Sequence, residues 1–347
     1  LEFPVATNVA TTLTTTATGG PITLKLDQDR TINSTLTLAG GANLNGFTLF
    51  LNSGTLAHTV AGNVTGGTLA FTLTGGNSSL DASAGAVSVN DITATSTGGN
   101  ALILDPFGLG TLTTVNSITA SGGVNVVASN TGDIGNVTLN GSGTILTQNG
   151  TGTVGAVLGA AGNTGTINLG RAVAGTQKSA SITQSGTGTI GYGANPNALN
   201  VTGNVLVNTA FVLGAAGNVG AGTITFKNVA VTISGGVTNS ASFTGTATAA
   251  NNTSGNIIFL SAPTAVTITG AVTNSTTGGW TAGVGGSLTT SGRITFAATT
   301  GNVSTGNISN SSSLNGTAPL GDIIATGGGA ATLTASAVSN TSTVANA

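Results

Sequence analysis

The densest run of side chains able to do chemistry is KLDQDRT at 25–31, which gathers Lys25, Asp27, Asp29 and Arg30. Carboxylates interleaved with cationic groups could hold a metal cation or hydrogen-bond the hydroxyls of a carbohydrate. The same residues suit a plainer role, which we favour. They make a polar cap at the start of a repetitive fold, where an exposed end must be kept from pairing edge to edge. The other acids, Glu2, Asp81, Asp91, Asp105, Asp133 and Asp322, are isolated in sequence. Glycan-cleaving chemistry needs clustered acids, or acids supported by Arg and Lys, to move protons and balance sugar charge. No such grouping is legible, so the chain reads as a non-enzyme, with a glycan-active β-helix as the weakest alternative. His58 has no second His and no Cys with which to share a metal, and no cofactor is expected. SGTGTIG at 185–191 and GAAGNVG at 214–220 look like phosphate-binding glycine loops, but neither is followed by Gly-Lys-Ser/Thr or by a helix pattern.

Two other groups invite a binding reading. Tyr192 and Trp280, the single Tyr and the single Trp, sit in the Gly-rich phrases GYGANPN and TTGGWTAG. Aromatics on loops can contact sugars or partner proteins, and can equally pack over the edge of a repeat. Thr-rich text such as TLTTTAT at 12–18 suggests a flat Thr face of the ice-binding kind, but that needs Thr-x-Thr in register at every repeat, which the sequence does not display. Nucleic acid is excluded as a partner. Binding a polyanion takes clustered Lys and Arg, and the six here (Lys25, Arg30, Arg171, Lys178, Lys227, Arg293) are scattered in a chain of net charge −2.

The elements that must position these residues are short strands. TLTL at 35–38, TLAFTL at 68–73, TITF at 223–226 and AVTIT at 265–269 alternate apolar residues with Thr or Ala, the period of half-buried strands. Gly-Gly, Gly-Asn and Asn-Gly pairs punctuate them as turns. Mean hydropathy of +0.36 argues against disorder. Thr, Asn or Gly interrupts every apolar run before the ~18 residues a transmembrane helix requires. The opening LEFPVATNVA has neither a basic start nor an apolar run, and reads as an internal or processed piece of a longer protein.

The C-terminal part repeats in paired phrases. GTITF at 222–226, GNIIF at 255–259, GRITF at 292–296 and GDIIA at 321–325 share Gly-x-Ile-x-apolar. Each is followed by VTNS at 237–240, VTNS at 272–275, ISNS at 308–311 or VSNT at 338–341. Both phrases therefore recur at loose intervals of about 35 residues. Further upstream, TQNGTGTVG at 147–155 nearly repeats as TQSGTGTIG at 183–191, and VLGAAGN at 157–163 returns at 212–218. Read as two and three multiples of about 18, these spacings predict an all-β, right-handed parallel β-helix of roughly 18–20 residues per coil. A unit of ~35 is then two coils, with one large coil as the alternative. The expected organisation is an N-terminal linker, cap or donor strand over 1–21 and one solenoid over 22–347. Asn239, Asn274, Asn310 and Asn340 hold matching places and are expected to form an amide ladder if they lie at inward positions.

GNVTLNGSGTI at 135–145, GAAGNVGAGTITF at 214–226 and GAVTNST at 270–276 resemble the secreted β-helix regions of bacterial surface proteins. These include autotransporter passengers, filamentous-haemagglutinin-like adhesins and the large rickettsial-type surface antigens. The resemblance runs from about residue 22 onward. It implies an extracellular, cell-surface β-helix and carries over no catalytic residue. The expectation is therefore a structural surface protein that self-associates into a fibre, sheath or layer. The alternative is a monomeric adhesin stalk with a host or neighbouring-cell ligand.

Overall fold

The computed structural model describes residues 13–345 except 15, 18–19, 22, 54–55, 61, 82–85, 97–98, 105–110, 129–131, 142, 149–151, 169–175, 192–197, 214–221, 227–229, 248–251, 254, 261–264, 283–287, 291, 300, 316–320 and 328–331. The chain divides into two compact units, Leu1–Leu158 and Gly159–Ala347. Each is a parallel β-helix, wound in the right-handed sense that parallel crossovers adopt. The described residues contain no helix.

Alternation turns directly into burial. In Ala86–Ser96 the side chains of Val87, Val89, Ile92 and Ala94 are buried, while Ser88, Asn90 and Thr93 stay at least partly exposed. Because each strand continues into a parallel neighbour one coil on, inward residues stack into columns. Burial of a Val, Leu or Ile side chain contributes roughly 1.5–3 kcal/mol, which compensates for a core that is thin and has few aromatics.

A coil consists of three strands separated by corners. In the first unit one coil runs Leu36–Leu38, Ala42–Asn43 and Thr48–Ser53. The next runs Leu56–Val60, Val64–Thr65 and Thr68–Leu73. Every strand pairs with its counterpart in the following coil, as in Thr37↔Thr59, Ala42↔Val64 and Thr48↔Thr68. Among the described pairs of this unit the shortest advance is Leu24↔Ala42 and the longest is Ile92↔Ile118, so one circuit takes roughly 18–26 residues.

The second unit begins with coils of similar size, Thr176↔Ala198 and Ile167↔Ile190. It then widens. The coil Ile224–Phe226, Ala230–Ile233, Val237–Ala247 is followed by Ile257–Phe259, Ala265–Ile268, Val272–Ala282. Two more follow: Ile294–Thr299, Val303–Thr305, Ile308–Asn315 and Ile323–Gly327, Leu333–Ala335, Val338–Ala345. Their registers Ile224↔Ile257, Ile257↔Ile294, Val272↔Ile308 and Ile294↔Ile323 give circuits of about 29–37 residues.

The expected coil of roughly 18–20 residues is thus too short for much of the chain, and the C-terminal repeat of ~35 is one wide coil instead of two narrow ones. The added residues lie in the third strand, which grows from six residues in Thr68–Leu73 to eleven in Val237–Ala247, and in the segment after it. Both changes lengthen the coil without disturbing the stacked inward positions, since each coil meets only its neighbours.

The upstream phrases that suggested multiples of ~18 do not occupy equivalent places. Thr147 and Gln148 end the first-position strand Ile145–Gln148, whereas Thr183 and Gln184 end Thr176–Gln184, a strand of the wider sheet. Gly159, in the first VLGAAGN, lies against Gln184, and Gln184 pairs with Val207, so the second copy, which starts at Val212, is out of step. Thr-Gln thus closes strands that stand at different positions of the coil.

Candidate functional site

Three of the four residues of the proposed cap are bonded where Leu24–Lys25 leads into Arg30–Ile32. Lys25 is exposed on the outer side of Leu24–Lys25, while Leu24, Leu26 and Ile32 beside it are buried. Arg30 Nη2 donates to Asp27 Oδ1 at 2.7 Å across the turn. Asp29 Oδ1 accepts from the Thr48 amide at 2.7 Å, one coil on. The group therefore braces a turn and ties two coils together, and its charges do not converge on a common point.

That coil-to-coil bond from Asp29 is an instance of a general device. Asp133 Oδ1 accepts from the Thr153 amide, Asn63 Oδ1 from Ala86, Asn77 Oδ1 from Ala101, Asn204 Oδ1 from Gly236, Asn256 Oδ1 from Arg293 and Asn302 Oδ1 from Thr332, at 2.8–3.2 Å. Corner amides leave the ladder where the chain bends, and a short side chain with an oxygen two bonds from Cβ reaches the amide stacked above it. Each of these acceptors except Asp29 follows a glycine. Along the sequence such Gly-Asn pairs signal turns; their use between coils emerges only from the stacking.

Amide-to-amide bonds link three of the four expected places, Asn274, Asn310 and Asn340. Asn239, Asn274, Asn310 and Asn340 are in register, and the first three are 1–2 % exposed. Asn274 Nδ2 donates to Asn310 Oδ1 at 3.0 Å, and Asn310 Nδ2 to Asn340 Oδ1 at 3.2 Å. The ladder also reaches across the corner to the other repeated phrase. Asn239 Nδ2 donates to Gly222 O, and Asn310 Nδ2 and Asn340 Nδ2 both donate to Gly321 O. This explains why the two phrases recur together. A Cβ on Gly292 would lie 2.2 Å from Asn274 Nδ2 and 2.3 Å from Gly255 O, so the glycine of Gly-x-Ile-x-Phe makes room for the Asn of the preceding third strand. One coil back, the column continues as Val207 and then Gln184. Gln184 is fully buried and donates through Nε2 to Asn163 Oδ1 at 2.8 Å, while Asn239 Oδ1 has no hydrogen-bond partner.

The outward side of these third strands is a sheet of hydroxyls. Thr238, Thr273, Ser309 and Ser339 form one column, and Ser240, Ser275, Ser311 and Thr341 the next. Ser242, Thr277 and Ser313 form a third, and all of these residues are half-buried or exposed. Columns two residues apart lie about 6.8 Å from one another and coils about 4.8 Å, which sets a regular two-dimensional grid. The columns mix Ser and Thr instead of repeating Thr-x-Thr, and VTNSAS, VTNSTT and ISNSSS stand on successive coils because each repeat is one coil. Trp280 lies on the strand Val272–Ala282, in register with Gly245, instead of on a loop. Tyr192 lies outside the described residues.

Among the described residues the acids outside 25–31 remain apart; Glu2 and Asp105 lie outside them. Asp91 accepts from Ser117 Oγ at 2.8 Å and Asn116 Nδ2 at 3.3 Å, and Asp322 from Arg293 Nη2 at 3.2 Å, both at the surface. The described residues hold no group of three His, Cys, Asp or Glu placed to bind a metal. Among them no helix is long and apolar enough to cross a membrane. His58 is a buried exception: wholly enclosed, its Nδ1 accepts from the Leu36 amide at 3.2 Å. Burial lowers its pKa from 6.5 to about 4. Compared with protein-family models, curated proteins and solved structures, the chain matches none.

Proposed function

We propose that this chain is a structural, non-enzymatic protein of the bacterial cell surface, a β-solenoid subunit that assembles with its own kind into a fibre, sheath or layer. The observation that carries this reading is how the few reactive groups are spent. Carboxylates and amides that might have met in a groove are instead bonded singly to backbone amides between coils. What is left outside is rows of hydroxyls with little charge. Such a surface offers weak electrostatic resistance to close approach of copies. The resemblance to secreted β-helix surface proteins supports the location.

The test is negative-stain electron microscopy of the purified chain over a dilution series. Filaments or sheets that persist on dilution are the expected outcome. Single particles at every concentration would overturn assembly.

A second reading, an adhesin that binds a host or neighbouring cell, is favoured by the hydroxyl grid at Thr238–Ser242, Thr273–Thr277 and Ser309–Ser313. A flat array of donors and acceptors on a rigid sheet suits a neutral, hydroxyl-rich glycan. Retention on immobilised glycans that is lost when Ser275 and Ser311 are changed to Val would favour it over assembly.

A further inference from the structure

His58 is the chain's single histidine, and it stands in an aliphatic column. Its strand, Leu56–Val60, pairs with Leu36–Leu38 on one side and Ser78–Asp81 on the other. That places the ring between Leu36 and Leu80, each 1 % exposed, with His58 itself at 0 %. Across the core it meets Phe71 edge-on, with ring centroids 6.0 Å apart at 62°.

The hydrogen bonds define the ring's protonation. Nδ1 accepts from the Leu36 amide at 3.2 Å, so it carries no hydrogen. The proton of the neutral ring is on Nε2, and that N–H has no hydrogen-bond partner. A second proton could go only to Nδ1, where it would face the Leu36 N–H, donor against donor. The charged ring would also have no counter-charge. The strands packed against it, Leu36–Leu38, Thr68–Leu73 and Ser78–Asp81, carry one titratable side chain, Asp81. Asp81 is in register with Thr59, the neighbour of His58 along the strand, and alternation turns it to the outer face.

We propose that His58 is an acid-sensitive latch of the first unit: protonation breaks its bond to Leu36 and releases the strands Leu36–Leu38 and Leu56–Val60 from one another. The sign follows from the ring's preference for the neutral form. Because the folded ring resists a proton that the unfolded ring accepts below 6.5, its contribution is complete above that pH. It is lost as pH falls from 6.5 toward about 4.

The full chain serves for the test. As the single histidine, His58 has unambiguous imidazole NMR signals. The expected result is an Nε2–H tautomer that stays neutral well below 6.5. An ordinary titration near 6.5, or the Nδ1–H tautomer, would overturn the proposal. Urea unfolding against pH is the second measurement, on wild type, His58→Leu and His58→Asn. The Asn variant keeps an acceptor near the Nδ1 position but cannot titrate. Wild type should lose about 40-fold in folding constant between pH 6.5 and 4.5 relative to either variant. Hydrogen exchange of the segment around Leu36, compared among the three proteins at each of several pH values, should show opening on acidification in wild type alone. Identical pH profiles in all three would overturn the latch.

Discussion

At the scale of single residues, the Asn column is where a polar group in a thin core decides stability. A buried amide contributes only when its partners are present, and leaving one orphaned costs more than the bond itself gains. Asn274→Val removes the donor to Asn310 Oδ1, and should destabilise the chain by about 1–3 kcal/mol in urea unfolding. Val207→Asn should behave unusually. A buried Val replaced by a polar residue is normally costly. Here the new amide would stand in register with Asn239, whose Oδ1 has no partner, and a bond to that oxygen should hold the loss under about 1 kcal/mol. If both changes cost the same, the ladder contributes no specific stability.

At the scale of elements, the first strands of the wide coils are organised around an aromatic stack. Phe226, Phe259 and Phe296 are fully buried, with successive centroids 4.7 Å apart and planes within 15°. That spacing is the distance between coils, so identical rings in register must stack almost face to face. Phe259 has a ring on both sides, and Phe259→Ala should cost about 3–5 kcal/mol. Phe50, 36 % exposed on the outer side of Thr48–Ser53, is the natural control, and Phe50→Ala should change stability by less than about 0.5 kcal/mol. Thermal and urea unfolding of the two variants side by side decides the matter. Equal losses would mean the rings stack without holding the coils together.

At the scale of the whole molecule, charge contributes little. The ion pairs Arg30–Asp27 and Arg293–Asp322 each have a partner well exposed to water, and exposed pairs are worth a few tenths of a kcal/mol. Raising NaCl from about 50 mM to about 500 mM should therefore move the unfolding free energy by less than about 0.5 kcal/mol. A larger salt response would reveal charge interactions between coils that these contacts do not account for. The proposed association of copies should be equally insensitive to salt, because hydroxyl faces and strand edges do not depend on charge complementarity.

The strand content, the parallel stacking and the matching of the four ladder asparagines were all legible in the sequence. Alternation and repeated phrases arise from the same period that the coils impose. The glycine before each corner Asn was visible too. Coil length was not legible, because an upstream phrase recurs at different positions of the coil and its spacing says nothing about the circuit. The link between Gly-x-Ile-x-Phe and the Asn phrase was hidden as well. Gly292 and Asn274 are separated in the chain and meet only once the corner is folded. The hydroxyl grid and the enclosure of His58 depend on register, which is settled by which residue stands above which. Composition and period determined that this chain is a β-solenoid. Only the tertiary structure decided how wide each coil is, and therefore which side chains share a face.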